Sequence, residues 1–208
     1  MSKKNVIKIK IFALGETYVG KTCYIIRYTE DTFKEQLTTT GIDLKIKKII
    51  YNKKKYDIEF YDTAGQEKFR SLSANSIKSA EGIILIFDLT NQKSYDQITT
   101  WMADIKDMKG DNFPIILIGN KCDLEDERII SNEEGIELSK KYKLKYFETS
   151  CKTGVNIKES AAEIIKQIIE MKEKKLKEAL RGFELIENFQ LKKSKTLTTK
   201  KKKKNCSN

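Results

Sequence analysis

Apolar runs and amphipathic stretches alternate along most of this 208-residue chain. The runs at Gly82–Leu89 and Pro114–Asn120 are continuously apolar, which is typical of parallel strands buried on both faces of a sheet. Two further runs flank Asn52–Lys55 and predict a β-hairpin. In total the pattern predicts six strands, at Val6–Leu14, Ile42–Tyr51, Tyr56–Asp62, Gly82–Leu89, Pro114–Asn120 and Lys145–Ser150.

Amphipathic stretches with helical spacing lie between and after these strands. They predict helices at Lys21–Tyr28, Ser94–Lys109, Asn132–Tyr142 and Asn156–Met171. In the last of these, isoleucines and one alanine fall on a single stripe. Because strands and helices alternate, we expect an α/β fold with a parallel sheet and helices on both faces.

Charge is distributed unevenly and marks the end of the folded part. From about Lys172 onward charged residues dominate, so the fold is expected to end near residues 175–180. Residues 192–208 hold eight lysines and no acid, which leaves about +3 of the net charge of +11 on the rest of the chain. A nearly balanced body argues against nucleic-acid binding, which needs a basic folded face.

Cysteine and histidine usage excludes several kinds of site. The chain has no histidine, and its four cysteines are Cys23, Cys122, Cys151 and Cys206, with no C-x-x-C pair. Zinc sites and histidine-based catalysis are therefore not expected, and the first three cysteines are predicted to be inert interior thiols. Ser2 follows Met1 where N-myristoylation needs glycine, and no apolar run reaches the roughly 20 residues of a membrane span.

The segment G-E-T-Y-V-G-K-T, Gly15–Thr22, follows the first predicted strand and opens a predicted helix. It matches the P-loop pattern, in which glycines let backbone N–H groups face phosphate oxygens at a helix N-terminus. Lys21 can reach the outer phosphates, and the Thr22 hydroxyl can hold Mg²⁺. The alternative is a glycine-rich strand–helix turn without a ligand.

Two later motifs predict that the nucleotide base is guanine and not adenine. N-K-C-D, Asn120–Asp123, ends a buried strand, where open α/β sheets bind ligands. An ionised Asp123 can accept hydrogen bonds from N1–H and the 2-amino group of guanine, and adenine offers neither. E-T-S-C-K-T-G, Glu148–Gly154, follows the last strand and can cover the guanine edge with the N–H groups of Cys151 and Lys152.

A fourth motif, D-T-A-G-Q-E, closes the hairpin at Asp62–Glu67. Asp62 is expected to bind the metal through water, and Gly65 permits an N–H to approach the γ-phosphate. Gln66 is neutral and both donates and accepts, so it suits the orientation of an attacking water.

In this order the four motifs resemble those of small GTPases of the Ras superfamily, over about residues 6–171. The segments Thr40–Ile46, Asp62–Leu72 and Ile84–Tyr95 are most similar to the Rab family. The resemblance implies a P-loop NTPase small G domain, with a mostly parallel six-stranded sheet, one antiparallel edge strand and helices on both faces. We place this GTPase domain at residues 1–175 and a basic hypervariable tail at residues 176–208.

The resemblance also implies a function. The implied protein is a switch controlled by GTP and GDP. It hydrolyses GTP slowly without an activating protein and recruits effectors in intracellular vesicle trafficking. Catalytic roles are implied for Lys21 and Gln66, with Thr22, Thr39 and Asp62 at Mg²⁺. The implied nucleotide-binding residues are Gly15, Glu16, Thr17, Tyr18, Val19, Gly20, Lys21, Thr22, Cys23, Phe33, Thr39, Gly65, Asn120, Lys121, Asp123, Ser150, Cys151 and Lys152.

Some positions depart from the family pattern. Counting from the P-loop would make Thr40 the switch threonine, but anchoring on the strand after Gly41 gives Thr39, because loops absorb deletions more easily than strands. Tyr18 stands where a small residue is common and could alter access for an activating protein. The family's aromatic surface positions become Leu44, Tyr61 and Ile77, which leaves effector preference open.

The tail contains Lys200–Lys204 and Cys206, with two residues after the cysteine. This is neither a C-a-a-X box nor a cysteine pair, and it resembles a Cys-Cys-x-x ending that has lost its first cysteine. One prenyl chain binds membranes weakly, and adjacent lysines supply a second attraction to anionic lipid. The alternatives are a solvated tail with a free thiol, or lysines that serve nuclear import or RNA contact.

The expected protein is thus a monomer in the cytoplasm that associates reversibly with the cytosolic face of intracellular membranes. Its expected partners are an exchange factor, an activating protein and effectors, with no nucleic acid. Two alternatives stay open from the sequence: a GTP-binding scaffold that hardly hydrolyses, and a P-loop ATPase.

Overall fold

The computed structural model describes residues 6–33, 42–63 and 77–204. The chain divides into two compact units, Met1–Ile168 and Ile169–Asn208. The boundary that the sequence suggests between residues 175 and 176 stays a prediction.

Six strands form one sheet in the order β2-β3-β1-β4-β5-β6. β2 runs antiparallel to β3 at one edge, and every other neighbouring pair is parallel. The strands are β1 Ile7–Leu14, β2 Ile42–Tyr51, β3 Lys54–Thr63, β4 Gly82–Asp88, β5 Ile115–Asn120 and β6 Lys145–Thr149. The predicted fold class and all six strands are confirmed, with ends shifted by at most two residues.

Helices follow the strands, at α1 Lys21–Glu30, α2 Gln92–Asp96, α3 Ile98–Lys109, α4 Asn132–Tyr142 and α5 Ile157–Lys204, with a 3-10 helix at Glu125–Glu127. The single helix predicted at Ser94–Lys109 is wrong. Asn91 caps α2 by accepting a hydrogen bond from the Ser94 N–H, and Gln97 separates α2 from α3. Within the described residues, no helix combines the length and apolarity needed to cross a membrane.

Apolar side chains are buried on both faces of the sheet. On one face, the Tyr28 ring of α1 meets Phe60 of β3 edge-on, and the Tyr24 hydroxyl lies 2.8 Å from Ser160 Oγ of α5. On the other face, β4 and β5 pack with α3 in a cluster that contains Leu85, Met102 and other fully buried residues. β4 and β5 are buried along their whole length, as their continuous apolar runs predict.

The edge strand β2 alternates apolar and charged positions from Ile42 to Lys47. Leu44, Ile46 and Ile50 are 43%, 49% and 73% exposed, and lysines lie between them. Tyr61 of the neighbouring β3 stacks on Phe12, with ring centroids 4.4 Å apart. Ile77, expected at the surface with Leu44 and Tyr61, is only 1% exposed and belongs to the core cluster, so that expectation is wrong.

A matched pair of isoleucines tests this distribution of burial. Ile84 on the central strand β4 is fully buried, whereas Ile50 on β2 is 73% exposed. We expect Ile84→Ala to lower the free energy of unfolding by about 2–5 kcal/mol, because the truncated side chain leaves a cavity. Ile50→Ala should change it by less than about 0.5 kcal/mol. Urea unfolding measured by circular dichroism decides, and equal losses would contradict the assigned burial.

Candidate functional site

The loop Gly15–Thr22 joins the end of β1 to the start of α1 and has a backbone that glycine makes possible. Gly15 has φ +141°, and a Cβ there would lie 2.1 Å from the carbonyl oxygen of Ile86. Gly20 has φ +100°, and its Cβ would lie 2.2 Å from Nδ2 of Asn120. Any side chain at either position would therefore force the loop away from the strand ends. The loop keeps its compact turn against β4 and β5.

Lys21 carries its charge inside this loop. Its side chain is buried, and Nζ donates to the carbonyl oxygens of Gly15 at 3.0 Å and Glu16 at 2.7 Å. Burial lowers the pKa of Lys21 to about 8, although the nearby charges of Asp62 and Glu16 act to raise it. The ammonium group is thus held where the loop can present it to an anion.

Thr22 and Asp62 bring oxygen ligands together beside the lysine. Thr22 Oγ1 donates to Asp62 Oδ2 at 2.6 Å, and Asp62 is itself buried near the end of β3. The parallel pairing of β1 with β3 sets Asp62 opposite Ala13, two residues before the loop begins. Hydroxyl and carboxylate oxygens are the ligands that Mg²⁺ takes, so these two side chains fit that ion.

Asn120 connects the phosphate loop to the loop after β6. Its Nδ2 donates to the carbonyl oxygen of Val19 at 2.8 Å. Its Oδ1 accepts from Thr149 Oγ1 at 3.1 Å and from Cys151 Sγ at 3.4 Å. Asn120 and Thr149 are direct partners in the β5–β6 register, which explains their contact. The role of Thr149 was missed, since only strand register brings the two side chains together.

Lys121 has φ +68° and turns the chain out of β5. Its Nζ forms an ion pair with Asp88 Oδ2, while Asp88 Oδ1 accepts from the N–H and hydroxyl of Thr90. Sequence reasoning missed Asp88. An acid directly after the buried run of β4 was the available signal, because the carboxyl ends of parallel strands share one edge.

Hydrogen bonds within the loop after β6, to both the side chain and the backbone of Ser150, hold its conformation. Ser150 is fully buried, its Oγ accepts from the Thr153 N–H at 3.0 Å, and its carbonyl accepts from the Gly154 N–H. Cys151 is buried, which confirms its predicted interior position, and burial raises the pKa of its thiol to about 12. Lys152 is exposed.

Other residues near the predicted site are only half-buried. Cys23 in the first turn of α1 is half-buried and close enough to Cys151 to raise the pKa of that thiol. Cys122 and Asp123 are also half-buried, on the turn that follows Asn120. Thr17 is half-buried beside Tyr18.

Two aromatic side chains face outward at this edge. Tyr18 has φ +65°, a left-handed conformation that is uncommon for a side chain with a Cβ, and it is 67% exposed. Phe33 is 36% exposed and follows Asp31, the left-handed residue that ends α1. The predicted contact of Phe33 with a base stays a prediction.

Several predicted residues lie outside the described ranges, and their roles stay predictions. They are the switch threonine, Thr39 or Thr40, the phosphate-facing Gly65, the water-orienting Gln66 and the lipidation site Cys206.

Comparisons with known proteins agree with this geometry. Residues 10–170 match the model of the Ras family. Ras-related protein Rab-3C of Bos taurus is 39% identical over 157 residues, which cover 75% of this chain and 69% of that protein. GTP-binding protein ypt2 of Schizosaccharomyces pombe is 41% identical over 167 residues, 78% of this chain and 84% of its own. Ras-related protein Rab-3A of Homo sapiens is 38% identical over 162 residues, 77% of this chain and 74% of its own.

The bridging amide of Asn120 can be tested by truncation. We expect Asn120→Ala to lower the free energy of unfolding by about 1–3 kcal/mol, because the buried carbonyl of Val19 and the hydroxyl of Thr149 would lose a partner. Asn112→Ala, at an exposed asparagine before β5, should change it by less than about 0.5 kcal/mol. Urea unfolding of both variants is the measurement, and equal effects would exclude the bridging role.

Proposed function

This chain belongs to the Rab family of small GTPases, and from that premise we propose how its own residues bind guanine nucleotides and hydrolyse GTP. The protein is a GTPase that converts GTP to GDP and acts in vesicle trafficking. The observation that carries the residue assignment is Asn120, whose amide joins the phosphate loop to the loop after β6. Two loops that would hold the two ends of a nucleotide are thereby fixed together.

The loop Gly15–Thr22 is the proposed phosphate site. Its backbone N–H groups and the N-terminus of α1 would surround the phosphate oxygens. Lys21 would contact the β- and γ-phosphates, exchanging its bonds to the loop carbonyls for bonds to the more basic phosphate oxygens. An anion in this pocket would also favour the charged form of the buried lysine.

Thr22 would hold Mg²⁺ directly, Asp62 would hold it through water, and Thr39 would complete the set. The support is the 2.6 Å hydrogen bond from the Thr22 hydroxyl to the Asp62 carboxylate, which brings two oxygen atoms that can bind a metal ion together at the end of the loop. When bound, Mg²⁺ neutralises negative charge on the β- and γ-phosphate oxygens.

Guanine recognition is assigned to the turn after β5 and the loop after β6. The Asp123 carboxylate would accept from N1–H and the 2-amino group, and the N–H groups of Cys151 and Lys152 would donate to the opposite edge of the base. Lys121 and Phe33 would cover the two sides of the ring. The order within Ser150–Gly154 supports this role, because a preformed loop binds with a smaller entropic cost.

Hydrolysis is assigned to Gln66, which would orient the attacking water in line with the γ-phosphate, while the Gly65 N–H and Lys21 stabilise charge on it. Loss of the γ-phosphate would then release the loops that carry Thr39 and Gly65, and with them an effector. An exchange factor and an activating protein would set the rates of reloading and hydrolysis. Family membership does not favour a scaffold that binds GTP without hydrolysing it.

Membrane attachment is proposed for the tail, residues 176–208, outside the GTPase domain at residues 1–175. Lys200–Lys204 and Cys206 combine a polybasic segment with one candidate prenylation site. Neither signal alone binds firmly, but together they give reversible association with an anionic membrane. We propose a cytoplasmic monomer that exchanges with the cytosolic face of intracellular membranes.

The catalytic assignment is tested by Gln66→Leu, which removes the amide and nearly keeps the side-chain volume. We expect single-turnover GTP hydrolysis, with and without an activating protein, to slow by at least about tenfold, because leucine cannot orient water. GDP affinity should stay within about threefold of wild type, since Gln66 is not assigned to ground-state binding. Gln167→Leu on α5 is the matched control, and equal rates for Gln66→Leu and wild type would remove Gln66 from the mechanism.

The tail assignment is tested by the intact mass of protein recovered from membranes of its native cells. We expect a mass gain equal to one isoprenoid, absent from a Cys206→Ser variant, which should shift to the soluble fraction because the lysines alone bind weakly. Cys122→Ser changes a cysteine outside the tail, so this variant should show the same mass gain as wild type and the same proportion of protein in the membrane fraction. An unmodified mass in the membrane fraction would exclude the lipid anchor and leave the nucleotide assignment intact.

A further inference from the structure

One guanidinium group, that of Arg128, binds two carboxylates from different elements. It donates to Glu148 of β6 through both terminal nitrogens, at 3.0 and 2.9 Å. It also donates to Glu125 of the 3-10 helix through Nε and a terminal nitrogen, both at 3.1 Å. A fifth contact reaches the carbonyl oxygen of Ile130 at 3.3 Å. The fork of arginine thus spans two segments in a way that the point charge of a lysine cannot reproduce.

The pair with Glu148 is sheltered, whereas the pair with Glu125 is open to water. The side chains of Arg128 and Glu148 are 19% and 17% exposed, and that of Glu125 is 69% exposed. Burial acts to raise the pKa of Glu148, but hydrogen bonds from Arg128, Asn132 and Tyr146 outweigh it and lower the pKa. Glu148 is therefore a fixed anion to which Arg128 is anchored, and the surface pair contributes little.

The short segment between Asn120 and Arg128 carries Asp123. It is compact, with the Leu124 N–H donating to the Lys121 carbonyl, the Glu127 N–H to the Leu124 carbonyl and the 3-10 helix in between. At its start, Asn120 is held by Val19 and Thr149. At its end, the side chain that holds it to β6 is Arg128.

Glu148 in turn belongs to the strand that leads into the Ser150–Lys152 loop. Its carbonyl oxygen accepts from Asn156 Nδ2 at 2.7 Å, and its Oε1 accepts from the Tyr146 hydroxyl at 3.1 Å. In the β5–β6 register Glu148 lies opposite Gly119, one residue before Asn120 meets Thr149. The Cys122 N–H also donates to the Thr149 carbonyl at 3.1 Å, so the start of the Asp123 turn is joined to β6 by backbone and side chain. The Arg128–Glu148 pair adds a link at the other end of this turn.

We propose that Arg128 is a positioning residue for guanine recognition, which holds the Asp123 turn at the distance from the Ser150–Lys152 loop that a guanine base requires. This inference rests on the proposed function, in which Asp123 accepts from guanine N1–H and the 2-amino group. Arg128 is not among the residues to which the proposed function assigns a contact with phosphate or base. Its loss should damage discrimination at the base edge and leave the phosphate site largely intact.

The test compares GDP with inosine diphosphate, whose base lacks only the 2-amino group, and with ADP. Dissociation constants are measured by calorimetry on the full chain with Mg²⁺. We expect wild type to prefer GDP to inosine diphosphate, Asp123→Ala to lose that preference, and Arg128→Ala to reduce it by about tenfold, as small misplacements of binding groups do. Arg128→Lys should recover part of the preference, because an ammonium can still contact Glu148.

A control separates positioning from general loosening of the fold. Met102→Ala removes a fully buried side chain of α3 and should lower the melting temperature at least as much as Arg128→Ala. It should not change the ratio of the dissociation constants for inosine diphosphate and GDP. Should Arg128→Ala not fold, Glu148→Gln breaks the same pair with almost no change in shape and should reduce the same ratio.

An unchanged ratio in Arg128→Ala or Glu148→Gln, or an equal fall in Met102→Ala, would overturn the inference while the proposed function stands. If wild type itself bound inosine diphosphate or ADP as tightly as GDP, the proposed guanine recognition would fall first and this inference with it.

Discussion

The side-chain amide of Asn120 is the contact on which the rest of the site depends. Parallel strands bring the loops after β1, β5 and β6 to one edge of the sheet, but strand pairing alone does not fix those loops relative to one another. Asn120 does so with one donor, toward Val19, and one acceptor, shared by Thr149 and Cys151. An aspartate could not donate to Val19, and an apolar residue would leave buried polar groups without partners.

Two acids along this edge each form an ion pair with a cation on a loop. Asp88 and Glu148 lie at or near the carboxyl ends of β4 and β6, and they pair with Lys121 and Arg128. Asp62, near the end of β3, instead accepts from the Thr22 hydroxyl, and its charge acts on the nearby Lys21. In each case an acid on the sheet holds a residue of a loop or helix start in place. Such support from the scaffold is what keeps a binding site in its productive geometry.

Much of the fold could be predicted because the strongest patterns are local. The continuous apolar runs of β4 and β5 and the capping box of Ser131 and Glu134 before α4 each specify one structure. The division of α2 from α3 was missed, although the Asn91 cap was a visible signal. The predicted end of α5 at Met171 is wrong, because the helix continues to Lys204. The apolar stripe ends near Met171, but the charged residues that follow can continue a helix without it.

The site was predicted unevenly for a related reason. Motifs such as Gly15–Thr22 identify their chemistry by residue type and spacing within one short segment. Other contacts join residues 20 or more positions apart, and no short segment reveals them. Asn120 meets Thr149 through the β5–β6 register, and Arg128 meets Glu148 because the turn after the 3-10 helix packs against β6. The burial of Ile77 likewise depends on packing against β4 and α3, and spacing along the chain does not reveal it.

The edge strand β2 has a consequence for how the protein behaves at high concentration. Leu44, Ile46 and Ile50 would make an unprotected strand prone to pair with other copies, which is how sheet edges begin to aggregate. Lys45 and Lys47, which alternate with them, are tied back to α1 by an ion pair with Glu30 and a hydrogen bond to the Thr29 carbonyl. Glu30 offsets the charge of Lys45, but Lys47 is bonded to a neutral carbonyl, so its positive charge would meet the same charge on a second copy that approached this edge. The strand can therefore keep an apolar stripe at the surface while mutual repulsion, strongest at low ionic strength, protects its colloidal stability.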